Sequence, residues 1–165
     1  MREKELYPFV VNWLESFLRD CYPKASAIWV EDTSRTSISQ FLRRHDLLSL
    51  LPWGAVLDIP VDVTGAALLK IKSQNIVKLA IVEVKVDVIN LRDFSQLLGY
   101  AKVAIPDHAF IVSPKGWSPM LQRLVRDFGR LDILEYAQGK RIVVAKWDNL
   151  SKSVRPGDVL LPGTF

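Results

Sequence analysis

Residues 79–89, LAIVEVKVDVI, constrain the fold of this chain more than any other segment. The valines and isoleucines describe a strand buried on both faces, as in the middle of a sheet. Glu83 and Lys85 interrupt it two residues apart, and alternation along a strand puts both side chains on one face. An unpaired charge in a core is costly, so such residues persist where they pair or where they face a cleft that a metal and a substrate complete. An alternating edge strand with a solvated Glu-x-Lys is the plainer alternative.

A second acid arrives through a hairpin. Residues 61–71 and 76–88 are two apolar, β-branched runs separated by Ser73-Gln74-Asn75. With Gln74-Asn75 as the turn, Glu83 lies opposite Ala66, Lys85 opposite Thr64 and Asp62 opposite Asp87. Asp62 then shares a face with Thr64 and Ala66, one diagonal step from Lys85. A three-residue turn would reverse the faces. Asp58 would pair beyond the end of the strand and is the weaker of the two acids. Asp62 and Glu83, with the Val84 carbonyl between the charged positions, suit a hard divalent cation held through oxygen, Mg²⁺ or Mn²⁺. Such an ion polarises a phosphate and acidifies a bound water. Lys85 would orient that water or offset charge in the transition state. The chemistry expected of this trio is phosphodiester cleavage.

Around this segment the chain reads as a mixed α/β domain. Leu6, Phe9, Val10, Trp13, Leu14, Phe17 and Leu18 form one helical stripe. Glu3 falls in line with it, either turned inward toward a site or as a first-turn acid favoured by the helix dipole. Residues 25–31 predict a strand and 36–51 a second helix. Asn90, with Asp93 three residues on, predicts a capped helix over 91–104. A buried strand over 108–112, a helix over 119–128 and a final hairpin of 133–136 with 142–147 follow. The expected architecture is a mixed sheet flanked by helices, with residues 1–150 as one domain and 151–165 as a loop-like or partner-contacting tail.

Composition excludes several function classes. Cys21 is the only cysteine and His45 and His108 the only histidines, which argues against a disulfide framework, a zinc module or a histidine-rich metal site. No apolar run is long enough to span a bilayer and the amino terminus does not resemble a signal peptide, so a cytoplasmic protein without a membrane partner is the expectation. The net charge is +4, and the whole basic excess lies after residue 100. That distribution fits either a solvated basic surface or a polyanion-binding face.

Asp62 in IPVDVTG, Glu83-Val84-Lys85 in IVEVKVD and the Gln96-x-x-x-Tyr100 of the following helix together resemble the PD-(D/E)XK nuclease superfamily, with some RecB-type character. The resemblance covers roughly residues 56–112, and Glu3 matches a first-helix acid found in many members. It implies a restriction-endonuclease-like αβββαβ core, here with an added C-terminal helix and β-hairpin. It further implies Asp62 and Glu83 as metal ligands, Lys85 as the catalytic lysine, and Gln96 positioning a phosphate or that lysine. Glu3 would reach the metal through water, and Tyr100 would support the face nearest DNA. Independently, Gln96 and Tyr100 are neighbours at i and i+4 on a stripe rotated away from the core.

Arg123, Arg126 and Arg130, spaced along one face of the helix over 119–128 and its end, form a row suited to tracking phosphates, with Lys115 nearby. A solvated face is the equal alternative. Two functions are therefore expected. One is a Mg²⁺- or Mn²⁺-dependent deoxyribonuclease directed by DNA structure or ends, acting as a homodimer or with specificity lent by a partner protein. The other is a non-catalytic nucleic-acid-binding or assembly subunit that keeps the nuclease fold.

Overall fold

The computed structural model describes residues 1–165. The chain opens with α1 (Glu3–Cys21), then β1 (Ala27–Asp32) and the short α2 (Ile38–Arg44). A 3-10 turn over Pro52–Val56 leads into the hairpin β2 (Val63–Ile71) and β3 (Gln74–Val84). There follow α3 (Leu91–Ala104), β4 (His108–Ser113), a helical segment α4 that starts at Pro119–Gln122, and β5 to β8 (Glu135–Ala137, Lys140–Arg141, Val143–Asp148 and Ser153–Val159).

Six strands form one mixed sheet in the order β1-β2-β3-β4-β7-β8. β3, β4 and β7 run parallel, and the outer pairings are antiparallel. Alternation along β3 sends Leu79 and Ile81 into a core with Ile38, Phe41, Phe94 and Leu97 on one face. Ala80, Val82 and Val84 pack on the other face against Leu6, Val10, Leu14 and Leu18 of α1. Glycine at position 65 lets α1 lie close on β2, since a Cβ there would come within 3.0–3.1 Å of Leu18, Leu14 and Val30. No helix is long and apolar enough to cross a membrane.

Several expectations change. The hairpin turns at Lys72-Ser73, both in the left-handed region (φ 50° and 67°), not at Gln74-Asn75. With no glycine to mark the turn, the apolar runs allowed either register, and the observed one pairs all of β2 with β3. The shift is even, so faces are preserved while neighbours change. The second helix stops at Arg44, where His45 and then Asp46 (φ 56°) break it. Residues 143–148 do not return to the preceding strand. They enter the main sheet parallel to β4, and the small hairpin is β5 with β6 alone. The residues after 150 are no tail: β8 is an edge strand on β7, burying Val154, Val159 and Leu160. On α1, Phe9 is exposed and Tyr7 buried, so the inward face runs through Tyr7, Val10 and Leu14.

Candidate functional site

The carboxyl ends of β3 and β4 meet the start of β2 beneath the amino termini of α1 and α3. There β2 parts from β3. Val63 is the last residue paired with β3, opposite Val82. Before it the chain leans toward β1: the Thr33 amide donates to the Asp62 carbonyl at 2.9 Å, and the Thr33 hydroxyl donates to the Val61 carbonyl. The Val84 amide, left without a backbone partner by this fork, donates to Asp62 Oδ2 at 2.8 Å. The Lys85 amide is turned the other way, onto the Val112 carbonyl at 2.9 Å. Because N–H and C=O of one strand residue share an edge, the Val84 carbonyl also faces the fork.

One step past the last ladder pair, Val63–Val82, the Asp62 carboxyl comes within hydrogen-bonding reach of Glu83. Both are buried, Asp62 to 8% and Glu83 to 5% exposure. The Tyr7 hydroxyl donates to Asp62 Oδ1 at 2.8 Å, so both oxygens of Asp62 are held. Burial, then a hydrogen bond and repulsion from Asp62, drive the Glu83 carboxyl far above the ordinary carboxylate range, with Lys85 opposing. Burial and the hydrogen bond to Asp62 likewise raise Tyr7, which stays a neutral donor.

Lys85 follows Glu83 on the same parity, but its Nζ sits 3.8 Å from Glu3 Oε1 and within ion-pair distance of no other acid. Glu3 therefore belongs to the site through Lys85. Burial raises its carboxyl above the usual value, Lys85 opposes this, and Asp62, Asp93 and Asp87 add to it. No third histidine, cysteine or acid joins Asp62 and Glu83 closely enough to complete a three-residue metal group. Asp58 is exposed and outside the site, which leaves Asp62 as the acid facing Glu83.

The remaining expected residues fall in different places. Asn90 and Asp93 cap α3 reciprocally. Gln96 is exposed and its Nε2 donates to the Tyr100 hydroxyl at 3.0 Å, so this pair forms as expected, while its amide touches neither Lys85 nor the acids. Lys115 pairs with Asp87 at 3.1 Å near the rim. Comparisons with known proteins give no match to any family model, curated relative or solved structure.

The arginine row does not exist. α4 passes into a π-helix over Arg123–Asp127 and closes before Gly129, whose φ of 65° ends it, so Arg130 lies beyond the helix and forks onto Asp132. Arg126 is spent internally, donating to the carbonyls of Leu160 and Val159 at 2.9 and 3.3 Å. Only Arg123 keeps an open guanidinium, 4.0 Å from Asp127 on the surface.

Tyr7 is the site residue that sequence reasoning missed. Its signal was present: Glu3, Tyr7, Val10 and Leu14 recur at helical spacing, so an inward Glu3 carries Tyr7 inward with it.

Proposed function

We propose that the chain is a divalent-metal-dependent nuclease of the PD-(D/E)XK type that hydrolyses DNA phosphodiester bonds. One observation carries the reading. Asp62 and Glu83 face each other inside the protein, and no lysine, arginine or histidine pairs with either. Two buried carboxyls without a cation must share a proton to coexist, and a divalent ion in place of that proton suits them better. The donor set fits Mg²⁺ or Mn²⁺: two carboxylates and the Val84 carbonyl, all oxygen, with phosphate oxygens completing the shell. The element order, α-β-β-β-α-β once α2 is set aside, supports the same reading.

The ion would supply charge at the scissile phosphate and acidify a water. The chain does the rest. Tyr7 and the Val84 amide fix the Asp62 carboxylate so that it need not reorganise when phosphate arrives. Lys85, partly exposed just past the end of β3, leaves Glu3 for a phosphate oxygen and offsets the charge that builds there. Glu3 holds the ammonium in place until then. A non-catalytic nucleic-acid-binding subunit is the second reading, favoured by the engagement of Lys85 with Glu3 rather than with the acid pair.

The test is incubation with supercoiled, linear, branched and single-stranded DNA in Mg²⁺ or Mn²⁺. Cleavage of at least one substrate, lost in Asp62→Ala and Glu83→Ala, is expected. No cleavage of any substrate, or variants that cut as well as the parent, would end the enzymatic reading. Divalent-ion binding that depends on Asp62 and Glu83 separates it from the second.

A further inference from the structure

The helix after β4 does not keep its pitch. Leu121 and Val125 are fully buried one turn apart, and on a regular α-helix Phe128 would fall on the same inward stripe. Instead Arg123–Asp127 is wound as a π-helix, the Phe128 amide donating to the Arg123 carbonyl at 2.9 Å. The extra residue in that turn rotates the following side chain by about 100°. Phe128 is left 67% exposed. Phe128, Leu91, Met120, Leu124 and Arg123 line an open apolar pocket of about 220 Å³. The Arg123 guanidinium lies over the Phe128 ring, 5.9 Å from its centroid.

The start of α3 connects this surface to the Glu3 side of the site. The chain entering α3 and the chain entering α4 are zipped together, the Ile89 amide donating to the Gly116 carbonyl and the Ser118 amide to the Ile89 carbonyl, both at 2.9 Å. Leu91, on the pocket wall, is the first residue of α3. Two residues on, Asp93 is near enough to Glu3 for its charge to be felt there.

The geometry points to a platform for the unpaired bases of single-stranded DNA on this surface, with Phe128 stacking a base and Arg123 holding the adjoining phosphate. The inference rests on the nuclease reading and names its substrate as DNA with a single-stranded segment. An exposed ring beside a surface cation, here held only by the long 4.0 Å exposed pair of Arg123 with Asp127, is the combination that single strands use, because every base has a π-face and carries a phosphate. A duplex keeps its bases stacked away from such a ring. A second copy of this chain fits less well, since a two-fold contact would bring two Arg123 guanidinium groups together over the apolar patch.

The test is fluorescence anisotropy with a labelled oligothymidylate and a duplex of equal length, in EDTA, so that binding is read without cleavage. Phe128→Ala is expected to weaken single-strand binding about ten-fold and to lower the single-strand preference by the same factor, with Phe128→Trp retaining it. Met120→Ala, at the same pocket, is expected to move in the same direction, and an unchanged melting temperature shows that both variants fold. Three results would overturn the inference: unchanged single-strand binding in Phe128→Ala, equal loss on both DNAs, or a dimer that Phe128→Ala converts to monomer in sedimentation. Phe128-dependent binding by a protein that cuts nothing would retire the nuclease reading and leave the platform. Glu83-dependent cutting indifferent to Phe128 would do the reverse.

Discussion

Asp62 takes the place of a strand: its Oδ2 accepts the Val84 amide proton where the β2 backbone has already turned toward Thr33. A residue proposed to hold a cation thus also closes the fork in the sheet. These two roles separate by substitution. Asp62→Ala strips acceptors from the Val84 amide and the Tyr7 hydroxyl and is expected to lower stability by about 1–3 kcal/mol in urea denaturation while abolishing cleavage. Asp62→Asn keeps a carbonyl oxygen for one of them, so it should recover part of that stability and none of the cleavage. An Asn variant that still cuts DNA would show that the carboxylate charge is not needed.

Glu83 makes metal-free stability depend on pH. Its carboxyl is raised in the folded protein by burial and by Asp62, so folding binds a proton at pH values where the unfolded chain has lost it. The stability it supports is therefore present in acid. It declines as pH climbs above the ordinary carboxylate range toward the raised folded value. Melting temperatures in EDTA between about pH 5 and 8 should fall with rising pH. Glu83→Gln should flatten that slope, and saturating Mn²⁺ should raise the parent's melting temperature at the alkaline end. A parent slope that survives Glu83→Gln would place its origin elsewhere.

The face shared by Asp62, Glu83 and Lys85 was legible because alternation is local and survives an even shift of register. The identity of the neighbours was not, because Lys72-Ser73 lacks the glycine that normally marks a left-handed turn. A turn displaced by two residues moved Ala66 from opposite Glu83 to opposite Leu79 and ended the ladder at Val63–Val82, one residue short of Asp62 and Glu83. The capped α3 was legible from Asn90 and Asp93, whose hydrogen bonds are short-range. The fates of Arg126 and Arg130 were not, since they depend on a π-turn and on β8, which packs from far along the chain. β8 was obscured by Pro156-Gly157, a pair that reads as a turn but is tolerated on an edge strand.

Tyr7 is a positioning residue for the proposed cation. Its hydroxyl fixes one oxygen of Asp62 at 2.8 Å, and removing such an orienting donor commonly weakens metal binding ten- to hundred-fold. Tyr7→Phe should keep the buried ring, shift the Mn²⁺ concentration for half-maximal cleavage upward by about ten-fold, and leave the rate at saturating Mn²⁺ closer to the parent's. Titration of cleavage rate against Mn²⁺ reads both. A lower plateau with an unchanged midpoint would mean that Tyr7 does not act through the ion.

Under the proposed function, Lys85 is expected to contribute to the reaction more than to the fold. Its only ion pair, with Glu3, is loose and partly exposed, which limits its worth in stability to under about 1 kcal/mol. Lys85→Met should therefore melt near the parent's temperature yet cut about 10²–10³-fold more slowly, the loss usual for one transition-state donor. Glu3→Gln releases the ammonium without removing it and should spare most of the rate. Equal losses in the two variants would assign the ion pair, not the lysine, to catalysis.

Arg126 and Arg130 should part company although the sequence aligns them. The Arg126 side chain donates to the carbonyls of Val159, the last residue of β8, and of Leu160 just after it, and stacks over Trp117, its guanidinium 5.7 Å from the ring centroid, so it ties the end of the edge strand to the helix. Its truncation leaves two partly buried carbonyls short of a donor. Arg126→Ala is expected to destabilise the fold by about 1–3 kcal/mol. Arg130 is exposed and its partner Asp132 lies only two residues away, so Arg130→Ala should leave the urea midpoint close to the parent's. Neither reaches DNA as part of a helical row. Salt titrations of DNA affinity should accordingly show no reduction in slope for Arg126→Ala once the measurement is made well below its melting temperature. A reduced slope would return Arg126 to the expected DNA-contacting row from which its hydrogen bonds remove it.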